Sequence, residues 1–331
     1  MRNMNLLEYM SKKSHRLIYP QMGAIGLSYT NYTMYDVYQN PQKQLEIALL
    51  LEDKIPVDFS YPLDYGVVFA EALGVPLLRP DYDFPSSNDN PIKDLSDLVL
   101  LDQPCPEKNY LMSSYLEAIL LIAQNIDKPE MVALVGPFTL AAEMAGVENL
   151  ARCVIRKPDF VEAILDFATE AIINFLGAAV KNGAKIIQIS EPTAVIISPV
   201  CFSRLLTHRL QKIFATVEQL GAWGVLHICG NTSVYLKEMS SCGAEVLSLD
   251  QIMDMATVAK IVPENIILAG NIDPLQIMYN GTSYEVEKAT KKLLFDMKPY
   301  PNFMPSFGCD CVMGSPEENV KIFIKTVYEN S

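Results

Sequence analysis

Short runs of β-branched and aliphatic residues recur along this chain from about residue 55, and longer helical patterns separate them. The runs are Ile55–Phe59, Met131–Val135, Lys185–Ser190, Gly224–Cys229, Val246–Leu249, Ile266–Ala269 and Phe303–Phe307, and Val75–Leu78 is taken as the eighth. Runs apolar on both faces are what a parallel sheet requires, because helices cover it on either side. The intervening segments carry helix signals. From Asp159 to Val180, Phe160, Ile164, Phe167, Ala171, Ile172 and Phe175 fall on one stripe, and Asn182-Gly183 supplies a stop. Ser315-Pro316-Glu317-Glu318 reads as a cap serine, a first-turn proline and a capping-box glutamate at the start of the last helix.

No Gly-x-Gly-x-x-Gly turn follows the first run and no Walker-type Gly-Lys-Ser/Thr occurs. The expected fold class is therefore α/β, a single (β/α)8 TIM-like barrel over residues 51–331, rather than an open doubly wound sheet. Residues 1–50 are expected to form an N-terminal helical extension, and the Pro- and Asp-rich stretch Arg79–Pro106 a long surface loop. A chain of 331 residues buries roughly 75% of its unfolded surface without a disulfide or metal staple.

The charge sum is 26 Lys and Arg against 39 Asp and Glu, or −13. Phosphate backbones and anionic lipids repel such a chain, so no nucleic acid and no membrane is expected as a partner. Seven scattered cysteines argue against a secreted disulfide framework. The Met1–Met10 stretch lacks a signal-peptide pattern. The apolar stretches Ala118–Ala123 and Ala171–Val180 fall short of the ~20 residues of a membrane span. A soluble protein of the reducing cytoplasm is the expectation.

The chemistry-bearing segment is His227-Ile228-Cys229-Gly230-Asn231, at the end of the fifth strand. Side chains alternate along a strand, so His227 and Cys229 share a side. If that side is inward, both reach the barrel mouth, where barrel enzymes keep their active sites. The eighth strand ends at Phe307-Gly308, followed by Cys309-Asp310-Cys311. Two strand ends can thus bring a Cys2His set to one point, which with an open fourth position is a catalytic zinc arrangement. A lone His-x-Cys also reads as core packing. Spacing does not choose between Cys309 and Cys311, and ligation by both would make a closed structural site.

Several segments together resemble the uroporphyrinogen decarboxylase superfamily, and within it the methylcobamide:coenzyme M methyltransferase branch. They are Gly136-Pro137-Phe138-Thr139-Leu140-Ala141, Gly183-Ala184 leading to Ser190-Glu191-Pro192, Ile197-Ser198-Pro199, His227–Asn231, Gly270-Asn271-Ile272-Asp273-Pro274, and Gly308-Cys309 followed by Ser315–Asn319. Decarboxylases of this superfamily carry an N-terminal arginine motif that holds porphyrinogen carboxylates. Here that region reads Tyr19-Pro20-Gln21-Met22-Gly23-Ala24-Ile25-Gly26, without arginine. They also place a histidine after the glycine that closes the last strand, where this chain has Cys309. The seven-residue step from Cys309 to Pro316 fits the methyltransferase branch.

The resemblance implies zinc bound by His227, Cys229 and Cys309, with an acceptor thiol as fourth ligand. It implies a methylcorrinoid carried by a partner protein as methyl source, and a small thiol such as coenzyme M as acceptor. A free thiol has a pKa near 8.5. Coordination to Zn²⁺ deprotonates it, and lowering the pKa below 7 corresponds to at least about 2 kcal/mol of preferential thiolate stabilisation.

Secondary candidates follow. Glu191 is a partner behind the ligands or a weak resting ligand, with a solvated loop carboxylate as the plain alternative. Asp64 lies near the family's acidic position after the first strand, with the step to Ala72-Leu73-Gly74 one residue longer. Asn231, Asn271 and Asp273 are candidates for shaping the corrinoid-facing mouth or simply for forming turns. Tyr29, Tyr32, Tyr35 and Tyr38 are candidates for a lid. His15, His208, Cys105, Cys153, Cys201 and Cys242 read as packing or surface residues. The rival functions are uroporphyrinogen decarboxylation, donor-side demethylation of a methoxylated substrate onto cob(I)alamin, and non-catalytic corrinoid carriage.

Overall fold

The structure is a computed structural model that describes residues 4–19 and 21–330. Residues 1–3 of the N-terminal stretch, Pro20 of the Tyr19–Gly26 segment and Ser331 at the end of the expected barrel range lie outside the described residues.

Among the described residues there are eight strands. β1 (Leu77–Leu78) and β2 (Ser86–Ser87) form a small antiparallel pair. β3 (Glu130–Val135), β4 (Ala184–Ser190), β5 (Trp223–Ile228), β6 (Val246–Leu249), β7 (Ile267–Ile272) and β8 (Phe303–Phe307) form one parallel sheet in chain order. Each expected run from Met131 onward lies within a residue of a strand start or end, except that β7 extends three residues beyond Ala269.

The first two expected strands are different. Ile55–Phe59 is buried but irregular, and only Ser60 makes a parallel bridge, to Glu130. Pro56 has no N–H for a ladder, and the Val57 carbonyl accepts from Lys128 Nζ at 2.7 Å. Val75–Leu78 contributes only β1, where Leu78 is 53% exposed. It belongs to the surface loop, not the barrel wall.

Two irregular segments complete the wall between β8 and β3. Tyr19 N donates to Pro305 O at 3.0 Å and Cys311 N to Gln21 O at 2.7 Å, so Tyr19 and Gln21 lie beside β8. Ser60 N donates to Pro129 O at 3.1 Å and Met131 N to Ser60 O at 2.8 Å, so residues 57–60 run beside β3. Asp58 joins the two segments. Its Oδ2 accepts from Ile18 N at 2.9 Å and its Oδ1 faces His15 Nε2 at 2.8 Å.

The helix Pro158–Asn182 is long and apolar enough to cross a membrane by length and composition, which exceeds the expectation from its Ala171–Val180 run. Half of that apolar window is buried inside the protein, with Phe160, Ile164, Ala171, Ile172 and Phe175 against the core. A stripe facing a packed sheet accounts for its apolarity.

The barrel interior holds a polar layer. Tyr19 OH donates to Gln188 Oε1 at 2.5 Å, and Ser306 Oγ donates to Tyr19 O at 2.8 Å. These contacts fasten Tyr19 to β4 and β8. Tyr19→Phe leaves the buried Gln188 oxygen without its donor and is expected to cost about 1–3 kcal/mol. Urea unfolding measures it, and an unchanged midpoint would refute a hydrogen-bonded seam.

Candidate metal centre

β5 delivers His227 to the barrel interior because alternation turns Val225 and His227 the same way, and Cys229 continues that side just past the strand end. Gly230 then turns the chain with φ +85°, a conformation that glycine adopts freely. Its N–H donates to Asp250 Oδ2 at 2.7 Å, while Asp250 Oδ1 accepts from Ile252 N at 3.0 Å. The turn that presents Cys229 is therefore tied to the loop after β6. Cys309 arrives from the far side of the site, two residues beyond the end of β8.

The three side chains converge. His227 Nε2 is 3.0 Å from Cys229 Sγ, and Cys229 Sγ is 3.4 Å from Cys309 Sγ. One ligand atom from each lies within 4.8 Å of the others. Cys311, left open by spacing, is buried elsewhere, with its Sγ 3.4 Å from Ser315 Oγ. Among the described residues no fourth His, Cys, Asp or Glu joins the group.

The other ring nitrogen of His227 is also engaged. Nδ1 is 3.0 Å from Ser248 Oγ and 3.5 Å from the Gln21 side-chain amide. Ser248 sits opposite His227 in the β5–β6 register. A hydroxyl that accepts from Nδ1–H leaves the Nε2 lone pair facing the two sulfurs, the tautomer that a metal needs. The Cys229 hydrogen bond and His227 hold Cys309 down to about 4 against the opposing effect of burial. The hydrogen bond to Cys309 and burial push Cys229 well up. Two sulfurs and one imidazole form a donor set that suits a borderline-soft ion such as Zn²⁺.

All three residues line a cavity of about 300 Å³, so one side of the group is open. Asp64 also lines it, and burial pushes its carboxyl up to about 7, with His227 opposing and Cys309 adding. Burial, together with the negative charges of Glu191 and Asp64, raises Glu143 well above the usual carboxylate range.

Glu191 is fully buried and its oxygens are taken. Oε1 accepts from Phe138 N at 2.8 Å, and Oε2 accepts from Thr139 N at 2.9 Å and Thr139 Oγ1 at 2.8 Å. It thus satisfies the first turn of the helix Pro137–Ala145, which carries Thr139 and Glu143 into the cavity wall. Burial raises its carboxyl to about 7 against the pull of those donors.

The remaining candidates serve loops. Asn231 Oδ1 accepts from Ser233 N at 3.1 Å and Ser233 Oγ at 2.6 Å. Asn271 Nδ2 donates to Asp250 O at 3.0 Å and Met253 O at 2.6 Å. Asp273 caps the turn Pro274–Tyr279 through Leu275 N and Gln276 N. The four tyrosines do not gather over the cavity. Tyr38 is buried with its hydroxyl on Asp64 O at 2.8 Å, and Tyr32 donates to Glu46 Oε2 at 2.8 Å. None of Tyr29, Tyr32, Tyr35 and Tyr38 is among the residues that line the cavity.

Sequence reasoning missed Gln21, Glu143, Gln188, Ser248 and Asp250. A signal existed for Gln188 and Ser248, since Ser248 is a lone polar residue at the inward parity of an apolar strand and Gln188 shares the inward parity of β4 with Ser190.

Residues 22–330 match the family described as uroporphyrinogen decarboxylase (URO-D). A methylcobamide:CoM methyltransferase of Methanosarcina mazei is 31% identical over 250 residues, covering 73% of this chain and 70% of the relative. One of Methanosarcina barkeri is 29% identical over 301 residues, covering 87% of this chain and 85% of the relative. A solved structure of a methyltransferase from Methanosarcina mazei superposes with a TM-score of 0.85 at 25% identity, covering 96% of this chain and 94% of that one.

Gly136 ends the turn before the Glu191-bound helix, and a Cβ there would lie 2.4 Å from Glu191 Cδ, Cγ and Oε1. Gly136→Ala is expected to displace that carboxylate and cost about 1–3 kcal/mol. Thermal and urea unfolding check this, and a fully stable variant would show that Glu191 is not locked there.

Proposed function

Because the chain belongs to the uroporphyrinogen decarboxylase family, we propose that it is a corrinoid-dependent methyltransferase that moves a methyl group from a methylated corrinoid protein to a small thiol. The relatives' names supply the reference acceptor, coenzyme M. The observation that carries this reading is the convergence of His227, Cys229 and Cys309 on one point that opens to a cavity.

In this reading His227, Cys229 and Cys309 hold Zn²⁺, with the cavity side left for the acceptor sulfur. When bound, zinc supplies a positive centre that keeps a thiol ionised near neutral pH. The residues around it do the positioning. Ser248 fixes the ring of His227, with the Gln21 amide beside it. Asp250 holds the Cys229 turn through Gly230. Glu191 positions the helix that bears Thr139 and Glu143, and Asp64 faces the substrate. Asn231, Asn271 and Asp273 shape the loops at the mouth, toward which a corrinoid protein would dock. Residues 51–331 are taken as the body of the barrel, and residues 1–50 as an extension that completes the wall beside β8 at Tyr19 and Gln21 and lends Gln21 to the site.

The transfer balances simply. The thiol proton leaves to solvent on binding. The sulfur electron pair then forms the S–CH₃ bond as the Co–C bond breaks, and that bond's pair stays on cobalt, taking Co(III) to Co(I). Effective in-line transfer depends on sulfur and methyl carbon held in attack geometry, which the rigid strand ends favour. The cavity opposes porphyrinogen decarboxylation, because among the described residues no Arg or Lys lines it to pair with a polycarboxylate.

Purified protein is expected to hold one zinc per chain. Cys309→Ser should lose it, Cys311→Ser should keep it, and Ser248→Ala should weaken affinity about 10- to 100-fold. Metal analysis and chelator competition measure this. With methylcobalamin and a thiol, the methylcobalamin absorbance should fade only in the zinc-loaded protein. Zinc retained in Cys309→Ser, or no transfer to any thiol, would overturn the reading.

A further inference from the structure

Apart from the His227, Cys229 and Cys309 group, the titratable side chains among the described residues that line the cavity are carboxyls. Asp64, Glu143 and Asp310 line it, and among the described residues no Lys or Arg does. Asp64 Oδ1 and Glu143 Oε2 are buried atoms that meet no hydrogen-bond donor among the described residues. This differs from carboxylates elsewhere near the site. Glu191 takes three donors, and Asp250 takes two backbone N–H groups. A buried acceptor left without a donor is costly, and each such group calls for an explanation. A ligand that brings donors to the cavity supplies one.

The rest of the wall narrows the ligand further. Met22, Tyr61, Phe84, Met131 and Val135 present thioether, aromatic and aliphatic surface. Such walls desolvate an anion without repaying it, whereas aromatic faces and carboxylates both attract a cation. The charge count points the same way. Two cysteine thiolates and a neutral imidazole cancel a divalent ion, so a bound acceptor thiolate already adds one negative charge. A sulfonate or carboxylate tail would place a second negative charge beside Asp64 and Glu143, whose carboxyls burial already pushes toward the neutral form and which an arriving cation would ionise, and no Lys or Arg among the described lining residues would pair with it.

Resting on the thiol-methylation reading above, we propose that the acceptor is a small aminothiol, whose ammonium tail donates to Asp64 Oδ1 and Glu143 Oε2 while its sulfur occupies the open side of the His227–Cys229–Cys309 group. The ammonium restores the donors that these oxygens lack and neutralises the thiolate within one ligand. Asp64 and Glu143 are then the residues that determine specificity. A chain with this cavity takes its methyl group from a corrinoid as its relatives are named for doing, but delivers it to a tail of opposite charge to the sulfonate of coenzyme M.

The test uses zinc-loaded protein and three thiols with the same two-carbon spacer: 2-aminoethanethiol, 2-mercaptoethanol and 2-mercaptoethanesulfonate. Calorimetry gives affinities, and methylcobalamin consumption gives kcat/KM. The aminothiol is expected to bind at least ten-fold more tightly than the sulfonate, with the hydroxyl thiol between them. Asp64→Asn with Glu143→Gln should shrink the ammonium-over-sulfonate ratio to below about three-fold. The comparison of thiols on the unaltered protein stands even if the double variant fails to fold. A sulfonate bound as tightly or more tightly would mean that both carboxyls keep and donate their protons, and would overturn this inference alone. A ratio unchanged in the folded double variant would overturn it too. Failure of every thiol to bind would overturn the methyl-acceptor reading together with it.

Discussion

The carboxylate of Asp58 holds together the part of the wall that no strand closes. A parallel barrel must not leave an edge, because an unpaired row of N–H and C=O groups is both costly when buried and adhesive when exposed. Between β8 and β3 this chain offers Leu17–Tyr19 with Gln21 and residues 57–60 instead of two strands, and Asp58 accepts from Ile18 N while it faces His15 and the Tyr328 hydroxyl. A side chain thus does locally what a ladder does elsewhere. The arrangement matters for the site, because the same segment carries Gln21 to within 3.5 Å of His227 Nδ1.

From that closure the site follows by parity. In a parallel sheet of fixed register, one residue position decides the face of every other. His227 faces Ser190 on one neighbour and Ser248 on the other. Polar residues at those inward positions would be penalised in a dry core. Here they satisfy one another, as Tyr19 with Gln188 and Ser306 also do. The interior is therefore stratified, with an apolar layer outside between strands and helices and a polar one inside that ends at the sulfurs.

Much of this was legible in the residues. Five of the six strands of the sheet are mainly β-branched or aliphatic runs that are largely buried on both sides, and β8 is a buried run of Phe, Met, Pro and Ser read from its place in the alternation. The first stave was not legible, because Ile55–Phe59 looks like a strand while Pro56 and the Lys128 contact to Val57 divert its backbone. Nor did the run at Val75–Leu78 reveal that its leucines lie on a surface pair. His227 and Cys229 were readable from alternation alone. The choice of Cys309 over Cys311 was not, since two residues of one short loop separate only when the Gln21 carbonyl takes Cys311 N and Ser315 takes its thiol. Glu191 was noticed without its purpose, which depends on a helix start 53 residues earlier in the chain.

The sulfur pair at the centre spans 80 residues of sequence. Cys229 stands one residue past the end of β5, whereas Cys309 follows β8. Any ion held by His227, Cys229 and Cys309 would meet its complete donor set only after β8 has been synthesised, so it could not guide the earliest stages of barrel assembly. The open side of the group would serve such an ion, as well as a substrate, as the way in.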